Sequence, residues 1–136
     1  MSDSPTVFFS YPMKTNHEVI NQLATALKAQ GFVSASEADI KLGDSFERTI
    51  LQMIERSDFV IADLTGNNAN VFYELGFAHA LGKQILPIVQ ESEQQVSPHI
   101  AGMLFVPYNP QKPEDMIKYV LSWVKRRQPE PQQAAS

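Results

Sequence analysis

Residues 58–83 constrain the fold more than any other stretch. Phe59 to Ala62 is a short apolar run with two β-branched residues, bounded by Asp58 and Asp63, and it suits a strand covered on both faces. Gly66, Asn67, Asn68 and Asn70 follow, residue types that tolerate unusual backbone angles and cap helices. A helix is predicted from near Asn70 to Gly82, a good left-handed stop followed by Lys83. Glu74 then lies in the first turns of a helix just past the carboxyl end of a strand. Open parallel sheets bind their ligands at that edge.

The flanking segments repeat the strand-helix alternation. Thr6 to Tyr11 reads as a first strand stopped by Pro12, with Ser10 and Tyr11 at its carboxyl end. His17 to Gln30 carries Val19, Ile20, Leu23, Ala24 and Leu27 at helical spacing, and Gly31 ends it. Phe32 to Ala35 is a weak strand expected at an edge, and a loop from Glu37 to Asp44 leads to a helix over Ser45 to Arg56. Gln84 to Gln90 is the fourth strand, with a bulge or an edge-like stretch expected at Pro87 because proline has no amide hydrogen to donate. Glu91 to Pro98 reads as a loop, His99 to Met103 as a short helical turn, and Leu104 to Tyr108 as a fifth strand. Pro113 to Arg127 is the last helix, and Gln128 to Ser136 is expected to be a frayed tail.

Crossovers of this kind imply an α/β flavodoxin-like three-layer fold, with a five-stranded parallel sheet in the order 2-1-3-4-5. The switch point falls between the first and third strands. It brings Ser10, Tyr11 and the segment from Asp63 to Glu74 to one crevice. At 136 residues the chain fits one domain over 1–128, able to remove roughly two thirds of its unfolded surface from water.

Composition narrows the chemistry. The absence of cysteine excludes disulfides and thiolate catalysis. No secretory signal is legible in Met1 to Pro5, and no apolar run approaches the roughly 20 residues that cross a bilayer. A cytoplasmic protein without membrane contact is therefore expected. The formal net charge of −4 argues against direct nucleic-acid binding. Lys125 to Arg127 is a basic cluster at a predicted helix end, where it complements the helix dipole. No phosphate-binding glycine loop, dinucleotide fingerprint or histidine-rich metal pattern occurs, so neither a metal nor a cofactor is expected.

A carboxylate at a helix N-terminus is expected to stay ionised near neutral pH, available as a nucleophile or an electrostatic partner. Beside a sugar it would stabilise an oxocarbenium-like centre or trap it covalently. Asn67, Asn68 and Asn70 offer donors and acceptors for sugar hydroxyls or a base edge. The combination favours an N-glycosidic bond as target. A glutamate early in a helix also complements the dipole whatever the function, and Asp63 has a turn-capping role open to it as well as a place in the crevice. His79, five residues past Glu74, is displaced around the helix and is assigned no catalysis, and His99 is a weak second candidate.

Ile61-Ala-Asp-Leu-Thr65, Asn70-Val-Phe-Tyr-Glu-Leu-Gly76, Ala78 and Gly82-Lys83 resemble the nucleoside 2-deoxyribosyltransferase family and its nucleotide N-glycosidase relatives. The resemblance implies that Glu74 is the nucleophile on the anomeric carbon, and that Asn68, six positions upstream, lies near the sugar hydroxyls. The acidic residue with which that family holds the base has no clear match here. Asp44, Ser45 and Arg48 stand nearest to its role, and Arg48 has two readings, a phosphate contact or a solvated helix charge.

Val7-Phe-Phe-Ser-Tyr11 is similar to the first-strand motif of Toll/interleukin receptor (TIR) domains, and Asp39, Gly43 and Ile50 follow their spacing. Enzymatic TIR proteins cleave the nicotinamide bond of NAD. The two resemblances imply a nucleotide- or nucleoside-directed N-glycosidase or a deoxyribosyltransferase-like enzyme, with NAD or a nucleotide as substrate. Glu74 would act at the anomeric carbon, Asp63, Asn68 and Asn70 would hold the sugar, and Ser10 and Tyr11 would line the pocket. The alternative is a non-catalytic nucleotide-sensing or self-assembling signalling module. Homo-oligomers are expected in either case.

Overall fold

Side-chain alternation along the two central strands divides the core in two. The computed structural model describes residues 4–12, 17–41, 43, 45–93 and 104–128. Strands β1 (Thr6–Ser10) and β3 (Phe59–Asp63) pair in parallel at the centre of a sheet ordered β2-β1-β3-β4-β5, with β2 (Val33–Ser36), β4 (Gln84–Gln90) and β5 (Val106–Tyr108) outside them. Val7, Phe9, Phe59 and Ile61 point to one face, where helices α1 (His17–Ala29) and α4 (Glu114–Arg127) supply Leu23, Leu27, Val120 and Trp123. Phe8, Val60 and Ala62 point to the other, against Ile50 and Ile54 of α2 (Phe46–Arg56) and Val71, Leu75 and Ala78 of α3 (Ala69–Ala80). The period of two in a strand produces this split, and the expected flavodoxin-like three-layer order is the one found.

Several boundaries differ from the sequence reading. β2 begins at Val33 because Phe32 is buried in the core beneath the sheet, edge-on to Phe59 at 6.3 Å between ring centroids. β5 is shorter than expected, since Leu104 is exposed and only Val106 to Tyr108 pair with β4. Pro87 is buried without a bulge. β4 keeps continuous register with β3 through it and meets β5 only from Ile88 onward, so the side of Pro87 away from β3 has no strand to pair with. The expected loop from Glu37 contains a 3-10 turn, Glu37–Asp39, closed by a capping box in which Ser36 and Asp39 bond each other's backbone. The expected turn at His99 to Met103 and the tail beyond Gln128 lie outside the described residues.

The central helix is fixed at both ends. Asn68 is its N-cap, its side-chain oxygen accepting from the amides of Asn70 at 2.9 Å and Val71 at 3.2 Å. At the far end Gly82 adopts a φ of 71°, and the amides of Gly82 and Lys83 return to the carbonyls of His79 and Ala78. A side chain at that φ would be strained, so the glycine stops the helix there. At the end of α4 the Arg127 guanidinium lies 4.8 Å from the centre of the Trp123 ring, a cation–π contact that gives this basic cluster a structural role.

Candidate active site

Glu74 is the sixth residue of α3 and is only 5% exposed. Helix-dipole stabilisation fades beyond the first turn, and the expectation of a carboxylate held ionised by the helix N-terminus is corrected on that ground. Burial pushes the Glu74 carboxyl up to about 7, Ser10 partly opposes this by hydrogen bonding, and the nearby charge of Glu37 adds to the rise. The Ser10 hydroxyl donates to Glu74 Oε1 at 2.6 Å, a bond that joins the end of β1 to the middle of α3. Glu74 has no other hydrogen bond among the described residues, and its second oxygen is not sealed in the interior.

A cavity of about 210 Å³ lies beside it, lined by Glu37, Phe46, Glu47, Ile50, Asn70, Tyr73 and Glu74. The walls come from the turn after β2, from the first turns of α2 and from one face of α3. Phe46 and Tyr73 are half exposed, at 52% and 55%, which places two aromatic rings where the cavity meets solvent. Tyr73 donates from its hydroxyl to Glu47 Oε1 at 3.0 Å, and this bond and the Glu47 charge raise the phenol above its ordinary range. Among the described residues, no lysine or arginine lines it. A second groove, about 410 Å³, runs past Arg48, Leu51 and Phe77, outside this cavity.

The structure gathers part of the expected set and disperses the rest. Ser10 and Glu74 meet, and Asn70 lies on the cavity wall. Tyr11 is 7% exposed in the opposite core, edge-on to His17 at 5.6 Å, because successive strand residues face opposite sides. The same alternation carries Asp63 to the far face with Phe59 and Ile61. It accepts there from the Thr65 amide at 3.0 Å, the Thr65 hydroxyl at 2.6 Å and the Tyr108 hydroxyl at 2.6 Å. This is the turn-capping role, not a place in the crevice. Asn68 commits its side-chain oxygen to the cap, and Arg48 is exposed in the second groove. Asp44 and His99 fall outside the described residues.

Sequence reasoning did not single out Glu37, Glu47, Phe46, Ile50 or Tyr73 as site residues. The spacing of Phe46 and Ile50 signals one helical face, and Asn70 and Glu74 share the same spacing. The Ser36 to Asp39 capping box was legible too, and it places Glu37 at the carboxyl edge. Among the described residues no group of three or more histidine, aspartate or glutamate side chains is placed to hold a metal ion.

Comparison with known proteins decides the family. The TIR domain model matches residues 7–120. The chain belongs to the TIR domain family. Among solved structures, this TIR domain is similar to the CMP N-glycosidase BcmB of Clostridium botulinum, with a TM-score of 0.68 and 23% identity over 87% of this chain and 98% of the other. It is similar as well to the TIR domain of the Toll-related receptor TRR-2 from Hydra magnipapillata, with a TM-score of 0.71 and 22% identity over 89% and 98% of the two chains. At such identities the likeness establishes the fold. A search of curated proteins gives no match to this TIR domain in sequence. No helix among the described residues is long and apolar enough to cross a membrane.

Proposed function

We propose that this TIR domain is an N-glycosidase that releases the base from a nucleoside or nucleotide, NAD included, with Glu74 acting at the anomeric carbon. The observation that carries the reading is a buried carboxylate, one oxygen fixed by Ser10, that lines a cavity. An ionised Glu74 would attack C1′ or stabilise the positive charge that develops there as the bond to the base breaks. The cavity is smaller than the ~300–1,000 Å³ typical of drug-sized ligands, which suits a pentose inside and the rest of the substrate outside. Phe46 and Tyr73 at the mouth offer flat apolar surface to a base. Among the described residues three carboxylates and no cation line the cavity, which favours an uncharged sugar there and a phosphate elsewhere.

The likeness to a CMP N-glycosidase supports this choice over phosphoester chemistry, and the motif around Glu74 resembles that of the deoxyribosyltransferases, in which a second base replaces water as acceptor. The test is to incubate the protein with NAD, nucleoside monophosphates and deoxynucleosides and to follow free base by chromatography. Release that falls about 100-fold or more in Glu74→Gln, the scale of a positioned proton-transfer or charge-stabilising group, supports the assignment. No release, or equal release by the variant, ends it.

The likeness to a receptor TIR domain favours a second reading, a ligand-gated assembly module without turnover. TIR domains commonly self-associate, and homo-oligomers belong to both readings. Thermal stabilisation by a nucleotide that is recovered intact would select the second.

A further inference from the structure

Glu74 is not the only carboxylate with an open side in the cavity. Glu37, in the 3-10 turn that follows β2, lines the same space and is half-buried, and its side chain has no hydrogen-bond partner among the described residues. Of the other ionisable groups on these walls, Glu47 from α2 and Tyr73 from α3 are bonded to each other, and β1 contributes the neutral Ser10 behind Glu74. Among the described residues, that leaves Glu37 and Glu74 as the two acids facing one cavity with capacity to exchange protons with a ligand. We propose that Glu37 is a second catalytic residue, the general acid that protonates the departing base while Glu74 attacks the sugar, an inference that rests on the N-glycosidase reading.

A Glu74 carboxylate oxygen forms a bond to C1′ as the bond from C1′ to the base nitrogen breaks, and the freed electron pair goes to the base. The Glu37 carboxyl gives its proton to the base, which leaves neutral. Water then attacks C1′, Glu37 takes the proton from that water, and Glu74 is released as a carboxylate. The competent enzyme carries the proton on Glu37 and the charge on Glu74. Burial raises the Glu37 carboxyl above its ordinary range, which favours its protonated form.

A base that carries positive charge on its glycosidic nitrogen separates this role from all others. A pyridinium becomes neutral on departure and needs no proton, whereas a purine or pyrimidine does. The experiment compares wild type, Glu37→Gln, Glu37→Asp and Glu74→Gln on a purine nucleoside, its 5′-monophosphate and NAD, with thermal melting as a check on folding. Glu37→Gln is expected to slow release of the neutral base by about 100-fold or more while nicotinamide release stays within about threefold, the range expected when a general acid is removed from a step that needs it and from one that does not. Glu37→Asp should recover part of the lost rate. Wild-type release of the neutral base should decline on the alkaline side as Glu37 loses its proton, while nicotinamide release should not. Equal losses on both substrates, no loss on either, or a wild type that cleaves NAD alone overturns the role of Glu37. If no substrate is cleaved, or Glu74→Gln works as fast as wild type, the N-glycosidase reading itself fails.

Discussion

Burial raises the cost of ionising Glu74 by more than the Ser10 bond recovers, so its carboxyl moves from 4.5 to about 7 in the folded protein. A raised acid contributes stability that is fully present below the unfolded value of 4.5 and is lost as the pH rises through about 7. The size is on the order of 3 kcal/mol, from 1.36 kcal/mol for each pKa unit. Wild type should therefore lose more stability between pH 5 and pH 8 than Glu74→Gln, and urea titrations of both at the two pH values measure the difference. A wild type and variant with parallel pH profiles would show that the carboxylate is solvated after all. Ser10→Ala acts in the opposite sense to Glu74→Gln. It removes the one bond that favours the ionised form, so the Glu74 titration seen by carboxyl-selective NMR should move upward.

At the scale of elements, the carboxyl ends of β3, β4 and β5 are tied by a buried cluster. Tyr108 donates to Asp63, Thr65 donates to Asp63, and the Gln90 amide donates to Thr65 Oγ1 at 2.9 Å. Burial, followed by the Asp63 charge and its hydrogen bond, holds the Tyr108 phenol well above its ordinary range. Tyr108→Phe should cost about 1.5–3 kcal/mol, since a buried carboxylate loses a charged hydrogen bond, and the loss should appear in denaturant unfolding with little change in base release. Conserved activity in a destabilised Tyr108→Phe separates this cluster from the site. The same elements show how far sequence could reach. The order of strands, the Glu74 helix and its glycine stop follow from apolar runs and turn residues, which are local signals. The assignment of Tyr11 and Asp63 to the crevice failed because a strand end was treated as having one side. Counting by twos from Phe8 and Val60 sends Ser10 toward α2 and α3 and sends Tyr11 and Asp63 away. Glu37 and Tyr73 escaped for another reason, since nothing local joins residues so far apart until the turn after β2 and the face of α3 close on one cavity.

For the whole molecule, the two faces of the sheet divide the labour. The α1/α4 side holds the larger aromatic core, with Phe59 and Trp123 edge-on at 5.7 Å, and the candidate site lies on the α2/α3 side. Stability and ligand recognition should then respond to different substitutions, a property the fold alone does not require. Trp123→Ala removes a ring 5% exposed and should cost about 3–5 kcal/mol as a large buried aromatic does. Phe46→Ala removes a ring that is 52% exposed, so its melting temperature should stay near that of wild type, in keeping with the ±0.5 kcal/mol of most surface changes. If the ring stacks on the base, the KM of Phe46→Ala should rise by about tenfold with a smaller change in kcat, since base–aromatic stacking contributes roughly 1–3 kcal/mol. A Phe46→Ala protein that binds and turns over substrate like wild type would move the base away from the cavity mouth. One that keeps its ligand affinity and loses self-association instead would assign the aromatic surface to an interface between copies of this TIR domain, and with it favour the assembly reading over the enzyme.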